Sequence, residues 1–380
     1  MGTTTTARPS QVPARATSFD IAYLAGVSQP TVSRALRGSP DVNEGTRQRI
    51  EAIAKQLNYK VDKNASNLRF QHSNTLALLF FEDPTPDDSQ INPFFLSMLG
   101  SITRSSARRG YDLLISFQQL SGNWHVDFED SKKADGIILL GYGDYLQYRA
   151  RLEQLSQQGT HFVRWGAVQP GQPGISIGCD NHQGGRDVTA HLIGHGRRDI
   201  AFLGHACSAY PEFLERYRGY EQALQLAGLY APPALQVDAV VTEQAGYAAA
   251  CELMSRQVRF DAIFAACDLI AIGAMRALQE HGIAVPDAVA VVGFDDISAA
   301  SMSHPALTTV AQDTHQAGET LVDTLLRQIH GEPASGTMLP ARLVVRSSCG
   351  ACAPPAQAGS ATRSTRKPAI RKLTPPTASA

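Results

Sequence analysis

The sequence predicts two unlike folded regions: an N-terminal all-α helix-turn-helix region and a larger α/β region with doubly wound parallel sheets. Residues 17–74 contain three short helical patterns and no strand pattern. From Thr75 onward, short apolar runs alternate with amphipathic helical periods, which is typical of buried parallel strands connected by helices. The chain has 380 residues, whereas a domain with a single hydrophobic core rarely exceeds about 250–300 residues.

Charge is distributed unevenly along the chain. The formal net charge is only −1, but residues 1–74 carry a net +5 and residues 350–380 carry another +5. The region 75–349 between them therefore carries a net −11. Basic ends on an acidic body favour a nucleic-acid-binding end attached to a separate domain.

The segments 1–16 and 350–380 are rich in small and polar residues and in proline, and we expect both to be disordered. The first residues lack the apolar stretch of a secretory signal, and no apolar run approaches the roughly 18 residues of a membrane helix. We therefore expect a cytoplasmic, nucleoid-associated protein without a membrane partner.

Motifs for catalysis or for cofactor binding are incomplete. His191 and His195 have the spacing of helical metal ligands, but no Glu follows His191 and no third ligand is evident. The Gly141–Gly143 segment lacks the third glycine of a dinucleotide fingerprint. Cys349 and Cys352 form a C-x-x-C without a second ligand pair. We therefore expect no catalytic residues, no metal and no cofactor.

Helix start and stop signals define the N-terminal region. Thr17 or Ser18 can cap a first helix, which Gly26 ends. Ser28 is a suitable N-cap for a second helix over 29–36, since a proline fits the first turn that follows it. Two short helices joined by a three-residue turn form a helix-turn-helix, whose second helix enters the major groove of DNA.

The second helix has a polar face that suits DNA. Gln29, Thr31, Ser33 and Arg34 lie on it. A guanidinium can pair with the N7 and O6 atoms of guanine, and hydroxyls near a helix start suit phosphates. Taken alone, the same face is also compatible with a solvated surface on a small helical bundle.

The stretch AYLAGVSQPTVSRALRGSPDVNEGTRQRIEAIAKQLNY resembles the DNA-binding headpiece of the lactose-repressor (LacI/GalR) family of bacterial transcriptional regulators. The resemblance implies a headpiece over 17–63. It assigns two roles to the second helix. By resemblance, Gln29, Pro30 and Arg34 contact the bases of DNA. Ser28, Thr31 and Ser33 contact its phosphates.

Residues 64–74 align with the hinge helix of that family, which forms on DNA and inserts a leucine into the minor groove. Leu68 matches this leucine. Val61, Asp62 and Ser66 depart from the usual Pro, Asn and Arg, which removes one possible minor-groove contact.

Residues 75–349 are similar to the effector-binding and dimerisation domain of the family, which has the two-lobed type I fold of periplasmic sugar-binding proteins. The resemblance implies three crossings between lobes, near 178–182, 307–311 and 337–341. A polar ligand is then expected in the cleft between the lobes, at the carboxyl ends of the strands.

A sugar site needs polar groups for hydroxyls and aromatic faces for the apolar side of the ring. By resemblance, the candidates are Arg216, Asp268, Asp295 and Gln312 for the hydroxyls, and Phe94, Phe95 and Trp165 for the ring. Each residue type also has a purely structural role, because an aspartate can cap a turn, a tryptophan can belong to the core, and an arginine can form a surface ion pair. Arg164 precedes Trp165 where many relatives carry Asp, and Cys267 replaces a common Asn.

Together these features predict a homodimeric regulator, expected to be a repressor, that binds double-stranded operator DNA under the control of a small ligand, expected to be a sugar. Whether the ligand weakens or strengthens DNA binding is left open. Two alternatives are a periplasmic-type sugar-binding component of a transporter and a sugar-processing enzyme. The GVSQPTVSR helix argues against the first alternative, and the lack of an acid–base pair argues against the second.

Overall fold

The computed structural model describes residues 16–36, 38–59, 72–81, 91–117 and 122–350. Of the ends expected to be disordered, 1–16 and 350–380, all but residues 16 and 350 lie outside the described residues. Most of the predicted hinge helix, including Leu68, also lies outside them.

The N-terminal region folds into three helices: α1 (Ser18–Ala25), α2 (Gln29–Leu36) and α3 (Glu44–Gln56). Thr17 caps α1 in a reciprocal capping box, because its side chain accepts from the Asp20 amide while the Asp20 carboxylate accepts from the Thr17 amide. Gly26 ends α1 with a φ of 63°, a conformation that favours glycine.

A small apolar core holds α2 across α1 and α3. Ile21 of α1, Val32 of α2 and Ile50 of α3 are fully buried and belong to one cluster. Ala35 and Ala54 fill the space between them. The turn between α1 and α2 is therefore fixed by side chains on both helices, which gives the polar face of α2 a defined direction.

A six-stranded parallel sheet forms the first lobe, in the strand order β2-β1-β3-β4-β5-β11. Its elements are β1 (Thr75–Phe80), α4 (Pro93–Arg108), β2 (Asp112–Phe117), a π-helical turn (His125–Asp130), β3 (Gly136–Leu140), α5 (Tyr145–Gln157), β4 (Phe162–Trp165), β5 (Ile175–Cys179), α11 (Thr314–Ile329) and β11 (Thr337–Leu339). Leu79 lies on the face of the sheet that α5 covers. Leu78 lies on the opposite face and belongs to the main core. Both faces are thus covered by helices, as a parallel sheet requires.

A four-stranded parallel sheet forms the second lobe, in the order β7-β6-β8-β9. Its elements are α6 (Asn181–Gly194), β6 (Ile200–Leu203), α7 (Pro211–Leu226), a 3₁₀ turn (Pro233–Leu235), β7 (Gln236–Val237), α8 (Glu243–Ser255), β8 (Ala262–Ala265), α9 (Asp268–Glu280), β9 (Ala290–Val292) and α10 (Ser298–Met302). The antiparallel pair of β10 (Thr309–Gln312) and β12 (Ala341–Val344) lies beside β9, because single bridges join Val292 to Thr308 and Asp295 to Ala311.

The chain passes between the lobes three times. It leaves β5 of the first lobe at Asp180, returns from β10 at Asp313, and leaves β11 at Pro340. These passages bring the carboxyl ends of strands from both sheets to the same region of the molecule. The predicted fold class, a helix-turn-helix headpiece with a two-lobed, doubly wound α/β body, is confirmed.

Helices α6 and α7 approach so closely that only glycine fits at their contact. A Cβ atom on Gly185 would lie 2.2 Å from the carbonyl oxygen of Arg216, and one on Gly219 would lie 2.1 Å from that of His182. Since backbone cannot yield as a flexible side chain can, these glycines set the distance between α6 and α7. That distance also sets the position of Arg216.

We predict that Gly185→Ala lowers the free energy of unfolding by about 1–3 kcal/mol, because the added methyl group overlaps the α7 backbone. The matched control is Gly194→Ala in the same helix, where the described residues place no atom other than the local helix backbone within 4 Å of the added Cβ. Replacing glycine by alanine there should stabilise the protein by up to about 1 kcal/mol. Urea titration of both variants measures this, and equal effects would contradict the steric explanation.

Candidate effector site and DNA-binding helix

Polar side chains from both lobes meet at the carboxyl ends of the strands. Tyr142 follows β3 in the first lobe, Asp295 follows β9 in the second, and Gln312 ends β10. Arg216 reaches the same point from α7, and Asn181 reaches it from the start of α6. None of the five is more than 6% exposed, so they form a polar cluster inside the molecule.

Every nitrogen of the Arg216 guanidinium has a partner in this cluster. Its Nε donates to Asn181 Oδ1 at 2.8 Å, and its Nη2 donates to Tyr142 Oη at 3.1 Å. Its Nη1 donates to the carbonyl oxygen of Ala266 and lies 3.4 Å from Asp295 Oδ1. A fully buried charge is tolerated only when it is paired and hydrogen-bonded in this way.

The Tyr142 hydroxyl connects the first lobe to the ion pair of the second. It donates to Asp295 Oδ1 at 3.3 Å and accepts from Arg216 Nη2 and from Gln312 Nε2 at 3.2 Å. Gln312 Nε2 also donates to Asp295 Oδ1 at 2.6 Å. Burial and the neighbouring Asp295 raise the pKa of Tyr142 well above its ordinary value, so the hydroxyl stays a donor.

Asp295 is held in an unusual backbone conformation. Its φ is 114°, and that of Asp296 is 55°, a region that non-glycine residues rarely adopt. Backbone bonds to β10 hold it there, since its amide donates to the carbonyl oxygen of Val310 at 2.8 Å. Burial raises the pKa of Asp295 to about 6, while Arg216 opposes that rise. The carboxylate therefore remains mostly ionised at neutral pH.

Aromatic rings surround the cluster. The Cζ atom of Arg216 lies 3.8 Å from the ring centroid of Phe294 and 5.1 Å from that of Phe213, within cation–π range. On the side of the first lobe, Phe94 stacks on Tyr142 with centroids 6.0 Å apart, and its ring lies 6.0 Å from that of Trp165.

Phe95 lies against Tyr142 as well, with ring centroids 4.8 Å apart. All three of the sequence-predicted aromatic residues, Phe94, Phe95 and Trp165, are therefore together on the same side of the cluster and are buried.

A cavity of about 660 Å³ opens beside these groups, and its size suits a small polar ligand. Three of the predicted effector residues line it: Phe94, Asp295 and Gln312. Much of its remaining wall carries hydrogen-bonding side chains, supplied by Ser97, Asp296, Ser298, Asp313, Thr314, His315, Gln316 and Arg342. Arg216 does not line the cavity, but it pairs with Asp295, which does.

Asp268 lies apart from this cluster. It begins α9, where its Oδ1 accepts from the Thr309 hydroxyl and its Oδ2 accepts from the amide of Ile297 at 2.9 Å. It is fully buried, and both burial and Asp295 raise its pKa well above the ordinary value. In this structure Asp268 fastens the segment after β9 to β10 and does not reach the cavity.

Sequence reasoning missed Tyr142 and Asn181. Tyr142 belongs to the glycine-flanked segment that was considered only as an incomplete dinucleotide motif. Its position directly after a buried strand was the signal available, because that is where a doubly wound sheet places ligand-binding groups. Asn181 follows β5 in the same way.

In the headpiece, the exposed side of α2 carries the residues predicted to contact DNA. Ser28, Pro30 and Arg34 are exposed, while Gln29, Thr31 and Ser33 are partly exposed. The Ser28 carbonyl accepts the amides of Thr31 and Val32, so α2 begins there. Ser28 and Thr31 share a hydroxyl–hydroxyl bond of 2.8 Å, and Gln29 donates to the Ser18 hydroxyl at 3.2 Å.

Comparisons with known proteins match this two-part organisation. The family model described as bacterial regulatory proteins, lacI family, matches residues 19–62, and the periplasmic binding protein-like domain matches residues 189–349. The ribose operon repressor of Escherichia coli (strain K12) is 30% identical over 83% of this chain and 93% of its own length. The chain belongs to the lacI family.

Other relatives extend the similarity within the lacI family. The HTH-type transcriptional regulator CelR of Thermobifida fusca is 32% identical over 86% of this chain and 94% of its own length. The solved lac repressor dimer bound to operator and the anti-inducer ONPF has a TM-score of 0.76 and 26% identity, covering 88% of this chain and 99% of that chain. The CelR–cellobiose complex has a TM-score of 0.65 and 30% identity, covering 88% and 100%.

The predicted family, and with it the prediction of a DNA-binding transcriptional regulator, are confirmed. The relatives named above are regulators of transcription. Within the described residues, no helix is long and apolar enough to cross a membrane.

We predict that Tyr142→Phe lowers the free energy of unfolding by about 1–3 kcal/mol, because it removes the acceptor of the buried Arg216 Nη2 and one of the two acceptors of Gln312 Nε2 while keeping the aromatic ring. Tyr230→Phe is the matched control, since Tyr230 is 77% exposed and its hydroxyl can be replaced by water. Its effect should stay within about 0.5 kcal/mol. Chemical denaturation of both variants measures the free energy of unfolding. An unchanged value for Tyr142→Phe would show that the Tyr142 hydroxyl adds no stability.

Proposed function

We propose that this member of the lacI family is a homodimeric repressor that binds a near-palindromic operator and responds to a sugar held between its lobes. The observation that carries the proposal is the buried Arg216–Asp295 pair, joined to Gln312 and to Tyr142 beside a 660 Å³ cavity. Its partner is operator DNA, so we place it in the cytoplasm at the nucleoid.

For the headpiece, we propose that Gln29, Pro30 and Arg34 contact base edges. Arg34 is exposed near the end of α2, and a guanidinium can bind guanine through two hydrogen bonds. Pro30 has no side-chain donor, so its contribution is apolar contact, for example with a thymine methyl group. The hydroxyls of Ser28, Thr31 and Ser33 are proposed to bind phosphates, and Leu68 is proposed to enter the minor groove.

For the sugar, we propose that Asp295 and Gln312 bind hydroxyls while Phe94 supplies an apolar face. These three side chains line the cavity. Arg216 holds the Asp295 carboxylate, and the rings of Phe95 and Trp165 pack against that of Phe94. The names of relatives agree with this class of ligand, since one is a ribose operon repressor and another was solved with cellobiose.

The link between sugar and DNA lies in the connection of the lobes. Tyr142 belongs to the first lobe, whereas Asp295 and Arg216 belong to the second, so a ligand that binds Asp295 acts on a contact between lobes. Such a ligand changes operator affinity only if it binds two arrangements of the lobes with different affinity.

For the dimer, we propose the free edge of the first-lobe sheet. Strand β2 is at the edge of the sheet, and its Leu114, Ile115 and Phe117 side chains are 37%, 47% and 47% exposed. An exposed apolar edge strand is a surface that proteins usually cover. The lac repressor, which has the same fold, was solved as a dimer on its operator.

We predict that the two sites can be disabled separately. Arg34→Ala should weaken binding to an operator selected from random DNA by about 1–3 kcal/mol per half-site, with relaxed preference at one position, while a sugar still raises the melting temperature. Asp295→Asn should weaken sugar binding by about tenfold or more, since a charge-assisted hydrogen bond is lost. It also removes the counter-ion of Arg216, so operator binding through the separate headpiece is expected to persist only where the melt without sugar shows a folded body.

Gel-shift titrations with and without sugar, together with thermal melts, measure both effects. A control variant in the headpiece is Gln48→Ala on α3, since Gln48 is exposed and bonds to Glu44 of the same helix. An Asp295→Asn protein with a normal sugar response would overturn the proposed site. If Arg34→Ala lowered the affinity for all DNA sequences equally, Arg34 would contact a phosphate and not a base.

A further inference from the structure

A second buried arginine lies where the lobes meet. Arg164 is the third residue of β4 and is 4% exposed, yet it differs from Arg216 in having no ion pair with any residue in the described part of the chain. A buried charge without a counter-ion is unusual in a folded protein.

The hydrogen bonds of Arg164 leave part of its guanidinium unused. Its Nη2 donates to the side-chain oxygen of Gln172 and, at 3.4 Å, to the carbonyl oxygen of Ala167. Its Nε is buried and has no hydrogen-bond partner among the described residues. The Cζ atom of the guanidinium lies 5.2 Å from the ring centroid of Tyr145, within cation–π range.

The nearest acidic side chain, Glu212 of α7, is engaged elsewhere. Its Oε1 accepts from the amide of Ala167 at 2.8 Å and thereby fastens the second lobe to the loop after β4. A Cβ atom on Gly166 would lie 3.0 Å from both Arg164 Nη1 and Glu212 Oε1, so the glycine leaves space beside these two side chains. Burial lowers the pKa of Arg164, and Glu212 opposes this from a distance.

A small cavity of about 20 Å³ adjoins Arg164. Gly141 and Gly143 on one side and Trp165 and Glu212 on the other leave room for about one oxygen-sized group, since a cavity of roughly 10–15 Å³ admits one water. Trp165 lines this cavity, and its ring centroid lies 6.0 Å from that of Phe94, which lines the larger cavity, so one aromatic contact separates the two cavities.

We propose that Arg164 binds an anionic group of the effector, which makes the ligand an acidic sugar. The inference rests on the proposed function, because it takes the sugar site as given. A guanidinium with an unused Nε offers a charge-assisted hydrogen bond to a carboxylate or a phosphate. The small cavity fits a carboxylate oxygen better than a phosphate.

The test compares matched ligands on the full-length protein by isothermal titration calorimetry at neutral pH. The pairs are D-glucose with D-glucuronate, D-galactose with D-galacturonate, and lactose with lactobionate, and glucose 6-phosphate is the phosphate probe. At least one acid should bind about tenfold or more tightly than its neutral partner. Arg164→Gln should abolish that preference, and Arg164→Lys should retain part of it.

Arg149→Gln is the control, because Arg149 is an exposed arginine of α5 that pairs with Glu153. It should leave the preference unchanged, and melting temperatures of all variants without ligand report on folding. A gain for glucose 6-phosphate alone, lost in Arg164→Gln, supports the anionic site and identifies phosphate as its ligand.

Neutral sugars that bind as tightly as their acids, or an acid preference that survives in Arg164→Gln, would overturn the anionic site and leave the sugar-responsive regulator standing. If wild-type protein binds none of these probes, the inference about Arg164 is overturned, while the sugar-responsive regulator is tested separately by the gel-shift titrations and thermal melts described above.

Discussion

The arrangement of the two lobes depends on one constraint: the charge of Arg216 is fully buried and must be neutralised and hydrogen-bonded within an apolar surrounding. Asp295 supplies the negative charge, Asn181 and the Ala266 carbonyl supply acceptors, and Tyr142 supplies the last acceptor from the opposite lobe. Breaking this set would leave a buried charge unpaired, which costs several kcal/mol. The cluster therefore specifies how the lobes meet, and it places Asp295 where a ligand can contact it.

A ligand that binds at this position acts on an existing polar network. A sugar hydroxyl can accept from Gln312 and donate to Asp295, so it can take part in the bonds that Tyr142 now makes. Because Tyr142 lies on the first lobe, such an exchange alters the contact between lobes. The headpiece has its own core of Ile21, Val32 and Ile50, so its three helices pack on one another without side chains of the body.

The fold and much of the candidate site could be predicted from the sequence, because motif and strand position carry strong information. Arg216, Asp295 and Gln312 do come together, and the helix-turn-helix begins and ends at its capping residues. Asp268 shows the limit: the family resemblance suggested the cleft, but the Thr309 hydroxyl and the Ile297 amide bind its carboxylate. Tyr142 was missed because tertiary contacts give it its role, and its place directly after β3 was the one signal that the sequence offered.

The most direct test of the central claim is a thermodynamic cycle between sugar and DNA. A sugar that raises the melting temperature is titrated by calorimetry into the free protein and into the protein bound to its selected operator. If the ligand acts on the contact between lobes, its affinity differs between the two forms by the same factor by which it changes operator affinity. Identical sugar affinities in the two forms would show that the site between the lobes does not control DNA binding.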